Sequence, residues 1–181
     1  MSNKAVFLDR DGVINVDHGY VHKVENFDFM PGIFELCQQF NQLGYRLIIV
    51  TNQSGIGRGY YSEDDFLKLS DWMKAQFTAN RSKIDAVYFS PYHPDKAKDP
   101  YLKKSECRKP APGMLLQAIK DFDLDPSHCI LIGDKETDIQ AAKAAGIGRS
   151  VLLDTANQSN NGTHSDADEI WHALSEGLDK L

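Results

Sequence analysis

Ala5-Val6-Phe7-Leu8-Asp9-Arg10-Asp11-Gly12-Val13 is the stretch on which the reading of this chain turns. Its four apolar residues read as a buried strand. Two carboxylates two residues apart straddle the strand's end, and Gly12 lets the chain turn away. A carboxylate at the carboxyl end of a parallel strand sits where open α/β sheets bind ligands. Taken alone, Asp-x-Asp reads as a solvated strand end with a tight turn. Three later segments change that reading: Thr51-Asn52, Lys109, and Gly133-Asp134-Lys135-Glu136-Thr137-Asp138.

Around this stretch the chain alternates strand and helix patterns. Strand-like runs fall at residues 5–9, Arg46 to Thr51, Ala86 to Ser90, Cys129 to Ile132 and Ser150 to Leu153. Ile33, Leu36, Cys37 and Phe40 follow helical spacing, with Pro31 near the start and Gly44 after the end. Phe66, Leu69, Met73 and Phe77 form a second stripe, opened by Ser62 and Asp65 in a capping pattern. Leu115, Ala118, Ile119 and Phe122 make a third, and residues 136–145, closed by Gly146, a fourth. Ile170, Leu174 and Leu178 predict a C-terminal helix capped by Ser165. The expected fold is α/β: a Rossmann-like doubly wound parallel sheet with helices on both faces. No repeat or linker divides the chain, so a single domain over residues 1–181 is expected.

The chain has 41% hydrophobic and 25% charged residues and a net charge of −6, which suits a globular protein and argues against a nucleic-acid partner. No apolar run approaches the roughly 18–20 residues that span a bilayer, so no membrane partner is expected. The chain enters its first strand without an apolar leader, and its three cysteines have no short paired spacing. A cytoplasmic location follows as the expectation, and the glycosylation patterns at 157–159 and 161–163 read as polar loop. Lys96, Lys98, Lys103, Lys104, Arg108 and Lys109 crowd within 14 residues. A basic mouth on an acidic protein suits a small anionic substrate, although Lys96 to Lys104 read equally well as a solvated loop.

The four segments together supply the groups needed for phosphoryl transfer through an aspartyl phosphate. Asp9 can serve as nucleophile, and Asp11 can give and take a proton. Thr51, with the small-residue turn Gln53-Ser54-Gly55-Ile56-Gly57, reads as a phosphate cradle, or otherwise as a plain glycine-rich loop. Lys109, preceding Pro110-Ala111-Pro112-Gly113, reads as a lysine just before a helix start, placed to neutralise a phosphoryl group. Asp134, ending the run Ile130-Leu131-Ile132, reaches the same rim as Asp9 and suits an oxygen-ligated Mg²⁺. Asp138, one helical turn on, is expected to hold the loop or Lys135 rather than the metal.

These segments resemble the haloacid dehalogenase superfamily of phosphohydrolases. Phe7 to Asn15, Asp17-His18-Gly19-Tyr20, Thr51 to Gly59 and Cys107-Arg108-Lys109-Pro110 are similar to its D-glycero-D-manno-heptose 1,7-bisphosphate 7-phosphatase family, relatives of the histidinol-phosphatase domain. The resemblance spans roughly residues 4 to 153. It implies a compact domain without a large cap, acting on a sugar phosphate in nucleotide-activated heptose synthesis for lipopolysaccharide or other surface polysaccharide; separately, a monomer is expected. It also implies catalytic roles for Asp9, Asp11, Thr51 and Lys109. Mg²⁺ would be held by the Asp9 carboxylate, the Asp11 carbonyl and Asp134. Substrate contacts would come from Asp17, His18, Gly19, Tyr20, Asn52, Gln53, Ser54, Arg108 and Lys135.

The chain departs from the family pattern at one place. Many members carry a structural zinc on Cys-x-His and Cys-x-Cys pairs, where this chain has Ser90-Pro91-Tyr92 and Ser105-Glu106-Cys107. A structural zinc needs four ligands, so none is expected, and a site rebuilt with His93 is a poor alternative. Other readings remain open at this level: a histidinol-phosphate or other sugar-phosphate phosphatase, or a phosphoaccepting receiver or phosphosugar-binding module without turnover. A receiver's acceptor carboxylate lacks a proton donor two residues on, so Asp11 discriminates.

Overall fold

The structure, a computed structural model, describes residues 3–157 and 164–181. The strands are β1 (Ala5–Leu8), β2 (Arg46–Asn52), β3 (Ala86–Ser90), β4 (Ile130–Gly133), β5 (Arg149–Leu153) and β6 (Glu169–Trp171). The helices are α1 (Ile33–Gln42), the single turn α2 (Ser54–Gly57), α3 (Glu63–Ala79), α4 (Gly113–Phe122) and α5 (Glu136–Ala144). All six strands run parallel in the order β3-β2-β1-β4-β5-β6.

Alternation along the strands builds two cores. Val6 and Leu8 of β1 pack with Ile33, Leu36 and Phe40 of α1, Met73 and Phe77 of α3, and Trp171. Ala5 and Phe7 point the other way, against Met114, Leu115 and Ala118 of α4 and Ile139 and Ala142 of α5. Both faces of each central strand are therefore buried, which explains the near-continuous apolar runs. The Ser62–Asp65 capping box is present, with Asp65 N donating to Ser62 Oγ (3.0 Å) and Ser62 N to Asp65 Oδ2 (2.9 Å).

The chain winds from β1 outward to β3, then returns to place β4 on the other side of β1. This reversal is the topological switch point of the sheet, where a crevice opens beyond the strand ends. It brings Asp9 and Asp134 together from positions 125 residues apart in sequence. Two long connections flank the crevice, residues 9–32 and 91–112, each pinned by isolated bridges such as Asn15–Phe29 and His93–Leu102.

The C-terminal expectation is corrected. Residues 169–171 form β6 beside β5, and Leu174–Asp179 form a 3₁₀ helix. Ser165 caps no helix there; its hydroxyl donates to Glu136 Oε2 at 2.7 Å. Residues 53–57 are also more regular than a loop, since 54–57 complete one helical turn. The glycosylation patterns overlap residues 158–163, outside the described residues. Among the described residues, no helix is long and apolar enough to cross a membrane.

Candidate active site

Asp9 leaves the end of β1 with its N–H on the Ile132 carbonyl (3.1 Å), locking β1 to β4 where the site begins. The turn that follows needs Gly12, at φ +88°, because a Cβ there would lie 2.2 Å from Asp134 Oδ2. Asp9 is buried, and its Oδ1 accepts from Lys109 Nζ at 2.9 Å and from Arg10 N at 2.9 Å. Burial, followed by the nearby Asp138 carboxylate, raises Asp9 well above the usual carboxylate range, with Lys109 offsetting part of this.

Helix α4 begins at Gly113, so Lys109 stands just before a helix start, as expected. Its side chain runs back beneath β2, where Nζ bonds Val50 O (2.8 Å), Asp9 Oδ1 (2.9 Å) and Asp138 Oδ1 (2.5 Å). Burial alone would lower its pKa, but the two carboxylates outweigh it and hold Lys109 charged. Asn52 fixes its backbone by a reciprocal pair, Nδ2 to Lys109 O (3.1 Å) and Lys109 N to Oδ1 (3.0 Å). Asp138 thus orients Lys109 and, through Oδ2, accepts the Lys135 N–H at 3.1 Å.

Asp11 stands half-buried beside Asp9. Its Oδ1 accepts from Arg10 (2.8 Å) and Asn15 (3.1 Å), and its Oδ2 from Gln53 Nε2 (3.0 Å). Thr51, fully buried at the end of β2, accepts from the same Gln53 nitrogen at 2.9 Å. Arg10 is buried between the rings of Phe27 and Phe66, with a second bond to Val21 O at 2.7 Å.

The donor set fits a hard divalent cation. Asp9, Asp134 and Asp138 each offer an oxygen within 4.8 Å of the others. Among the described residues, Asp134 Oδ1 is buried without a hydrogen-bond partner. Burial first, then Asp138, raises Asp134 against the opposing pull of its Asp9 contact, Lys135 and Lys109. Asp138 already serves Lys109 and Lys135, which leaves Asp9 and Asp134 as the carboxylates free for a metal.

Above these groups lies a cavity of about 480 Å³ lined by Asp9, Asp11, Asp17, Gly19, Tyr20, Asn52, Gln53, Ser54, Arg58, Tyr61, Arg108, Lys109 and Lys135, among others. A larger open depression of about 630 Å³, around Arg46, Arg81 and Lys83, lies at the opposite end of the sheet and holds none of this chemistry. His18 does not line the site cavity; it pairs with Asp28 at 2.7 Å on the outer surface. Asp17 and Lys135 approach to 3.8 Å across the mouth.

Sequence reasoning missed Arg58, Arg10, Asn15 and Tyr61. Arg58 lies in the quoted Thr51 to Gly59 segment, and its charge within a small-residue turn was the available signal. Its guanidinium sits 5.5 Å from the Tyr20 ring centroid, close enough to Arg108 to depress the latter's pKa after burial does so. Burial and the same two arginines also lower His93. Among the described residues, neither guanidinium is paired with a carboxylate.

On the 91–112 loop, Cys107 Sγ donates to Ser90 Oγ at 3.3 Å and lies 3.1 Å from Ser105 Oγ. His93 Nδ1 accepts from Asp95 N and Lys96 N (3.1 and 3.0 Å). These side chains are thus engaged with one another and with loop backbone.

A doubly wound sheet with paired aspartates just after its first strand, a threonine on its second, a buried lysine and an aspartate just after its fourth defines a haloacid dehalogenase-type hydrolase. The Hydrolase_like family model, described as "HAD-hyrolase-like", matches residues 106–176. The chain is 54% identical to D-glycero-alpha-D-manno-heptose-1,7-bisphosphate 7-phosphatase of Burkholderia mallei, covering 92% of this chain and 88% of the relative. It is 51% identical to the alpha-named enzyme of Campylobacter jejuni (84% of each chain) and 43% to the beta-named enzyme of Yersinia pestis (95% and 92%). The solved D,D-heptose 1,7-bisphosphate phosphatase of B. bronchiseptica, complexed with magnesium and phosphate, superposes with a TM-score of 0.84 at 26% identity, covering 98% and 99% of the two chains. The chain belongs to the D-glycero-D-manno-heptose-1,7-bisphosphate 7-phosphatase family.

Proposed function

We propose that this chain is a Mg²⁺-dependent phosphatase that removes the 7-phosphate from D-glycero-D-manno-heptose 1,7-bisphosphate through an aspartyl phosphate on Asp9. The observation that carries the bisphosphate reading is the Arg58–Arg108 pair. Two guanidiniums with no carboxylate partner among the described residues face the cavity that also holds Asp9 and Lys109, in a protein of net charge −6. Such a pair suits a second phosphate, which accepts a planar fork better than a point charge. Histidinol phosphate, with one phosphate, leaves that pair unmatched.

The Asp9 carboxylate attacks phosphorus while Asp11 passes its proton to the leaving sugar oxygen as the P–O bond breaks. A water then attacks the phosphoryl group, Asp11 takes its proton, and the bond to Asp9 breaks to release phosphate. Proton transfer of this kind contributes on the order of 10²–10⁴ in rate. Lys109, held on Asp9 and Asp138, balances charge on the phosphoryl oxygens, and Thr51 hydrogen-bonds them. Asp9, the Asp11 carbonyl and Asp134 would hold Mg²⁺, which supplies charge neutralisation when bound.

Greater identity to the alpha-named relatives, at 54 and 51% against 43%, supports the alpha anomer. A cytoplasmic monomer forming a single domain over 1–181, serving surface-polysaccharide heptose synthesis, completes the proposal. The test is phosphate release across a panel of sugar phosphates. The heptose bisphosphate alpha anomer should give the highest kcat/KM, and activity should vanish in EDTA. Equal kcat/KM for histidinol phosphate would refute the assignment.

A further inference from the structure

Every hydrogen-bonding group of the Gln53 side chain is engaged. Nε2 donates to Asp11 Oδ2 (3.0 Å) and Thr51 Oγ1 (2.9 Å), while Oε1 accepts from the Tyr61 hydroxyl. Turning the amide over would exchange donor and acceptor and set Oε1 against the Asp11 carboxylate. A donating hydroxyl on the Oε1 side therefore selects the orientation that supports Asp11. Tyr61 is itself fixed, 7% exposed, with its ring stacked on His22 at 4.8 Å and an interplanar angle of 7°. Gly55 leaves room for that ring, since a Cβ there would lie 2.3 Å from Tyr61 Cε1.

The two Asp11 oxygens are held differently. Oδ1 takes two donors, one of them the Arg10 guanidinium, so the proton that moves belongs on Oδ2. Gln53 is what aims Oδ2. We infer that Tyr61 is a positioning residue for the acid–base step, acting through Gln53 to aim the Asp11 proton at the leaving oxygen. This rests on the aspartyl-phosphate reading above. The step balances as before: the proton leaves Asp11 Oδ2 for the ester oxygen as the P–O bond breaks and Asp9 bonds to phosphorus.

The test compares kcat/KM, which reports the chemistry through phosphorylation of Asp9, on a sugar phosphate and on 2,4-dinitrophenyl phosphate, whose leaving group needs no proton. Tyr61→Phe keeps the ring on His22 and removes the hydroxyl. It should lower kcat/KM about tenfold on the sugar phosphate, the scale of one hydrogen bond, and less than about twofold on the aryl ester. Gln53→Met removes the same link together with the Thr51 contact, so it should slow both substrates and the sugar phosphate more, and adding Tyr61→Phe to it should cost nothing more. Equal losses on both substrates, or additive losses in the double variant, would overturn the inference while leaving Asp11's role intact. An Asp11→Asn variant that slows both substrates alike would overturn the acid assignment itself, and this inference with it.

Discussion

Asp134 carries a buried carboxylate oxygen with no donor among the described residues, next to Asp9 and Asp138. Its pKa is raised in the folded chain, so its ionisation at neutral pH weakens the metal-free fold, and that penalty fades as pH falls through the raised value. Asp134→Asn should therefore raise the Tm measured in EDTA. It should also abolish a Mg²⁺-induced stabilisation of roughly 5–10 °C, the size expected near 100-fold excess over Kd. A retained Mg²⁺ shift in calorimetry would remove Asp134 from the metal site. At the cavity mouth, Arg58→Ala and Arg108→Ala should each cut kcat/KM for the bisphosphate by about 1.5–3 kcal/mol and change a monophosphate little. Equal losses on both would assign these arginines to the reacting phosphate. Individual roles were unevenly legible. Asp9, Asp11 and Asp134 follow from strand-end position, whereas Asp138's duty to Lys109 needs the fold, because a carboxylate 29 residues away gives no local sign.

Among the elements, β1, β2 and β4 were readable because burial on both faces leaves apolar runs bounded by turns, and β3, β5 and the main helices by their apolar patterns. Strand β6 was not. Ile170, Leu174 and Leu178 recur every four residues, as on a helix face, and a three-residue edge strand has too little length to show alternation. Tertiary contacts decide instead: Trp171 is fully buried against the α1 side of the sheet. Glu169 ties this edge together, accepting from Arg149 Nε on β5 (2.7 Å) and from Trp171 Nε1 (2.9 Å), with Lys180 at 3.5 Å. The Arg149 hydrogen bond, chiefly, holds its pKa at about 2, below the ordinary value of 4.5. A depressed carboxylate stabilises the fold fully above its unfolded value, and the gain is lost as pH falls through about 2. Glu169→Gln should therefore lower Tm at pH 7 by about 2–4 °C, allowing for the group's exposure. The gap from wild type should close between about pH 5 and 2. A gap independent of pH would show that packing, not charge, is lost.

Across the whole molecule, the order β3-β2-β1-β4-β5-β6 puts every reacting group at one end of one sheet. The alternating pattern of the sequence made a doubly wound parallel sheet expected, without its strand order or β6, and the strand-end carboxylates made the site's location expected. On the 9–32 and 91–112 connections Asp17, Gly19, Tyr20 and Arg108 line the cavity as expected, whereas Arg58 and Tyr61, just beyond α2, stayed hidden because only the fold turns them toward it. Ser90, at the end of β3, and Tyr92 and Ser105, on the 91–112 connection, stand where the family pattern quoted above calls for zinc ligands, and neutral hydroxyls bind zinc poorly. Elemental analysis of purified protein should find no stoichiometric structural zinc; about one zinc per chain after chelation would point to a site rebuilt around Cys107 and His93. The central claim, that a bisphosphate is held at one end and cleaved at the other, is tested most directly by ³¹P NMR. With alpha-heptose 1,7-bisphosphate and Mg²⁺, the 7-phosphate signal should give way to inorganic phosphate while the anomeric phosphate signal persists. Loss of the anomeric phosphate, or no phosphate release from this substrate, would contradict it.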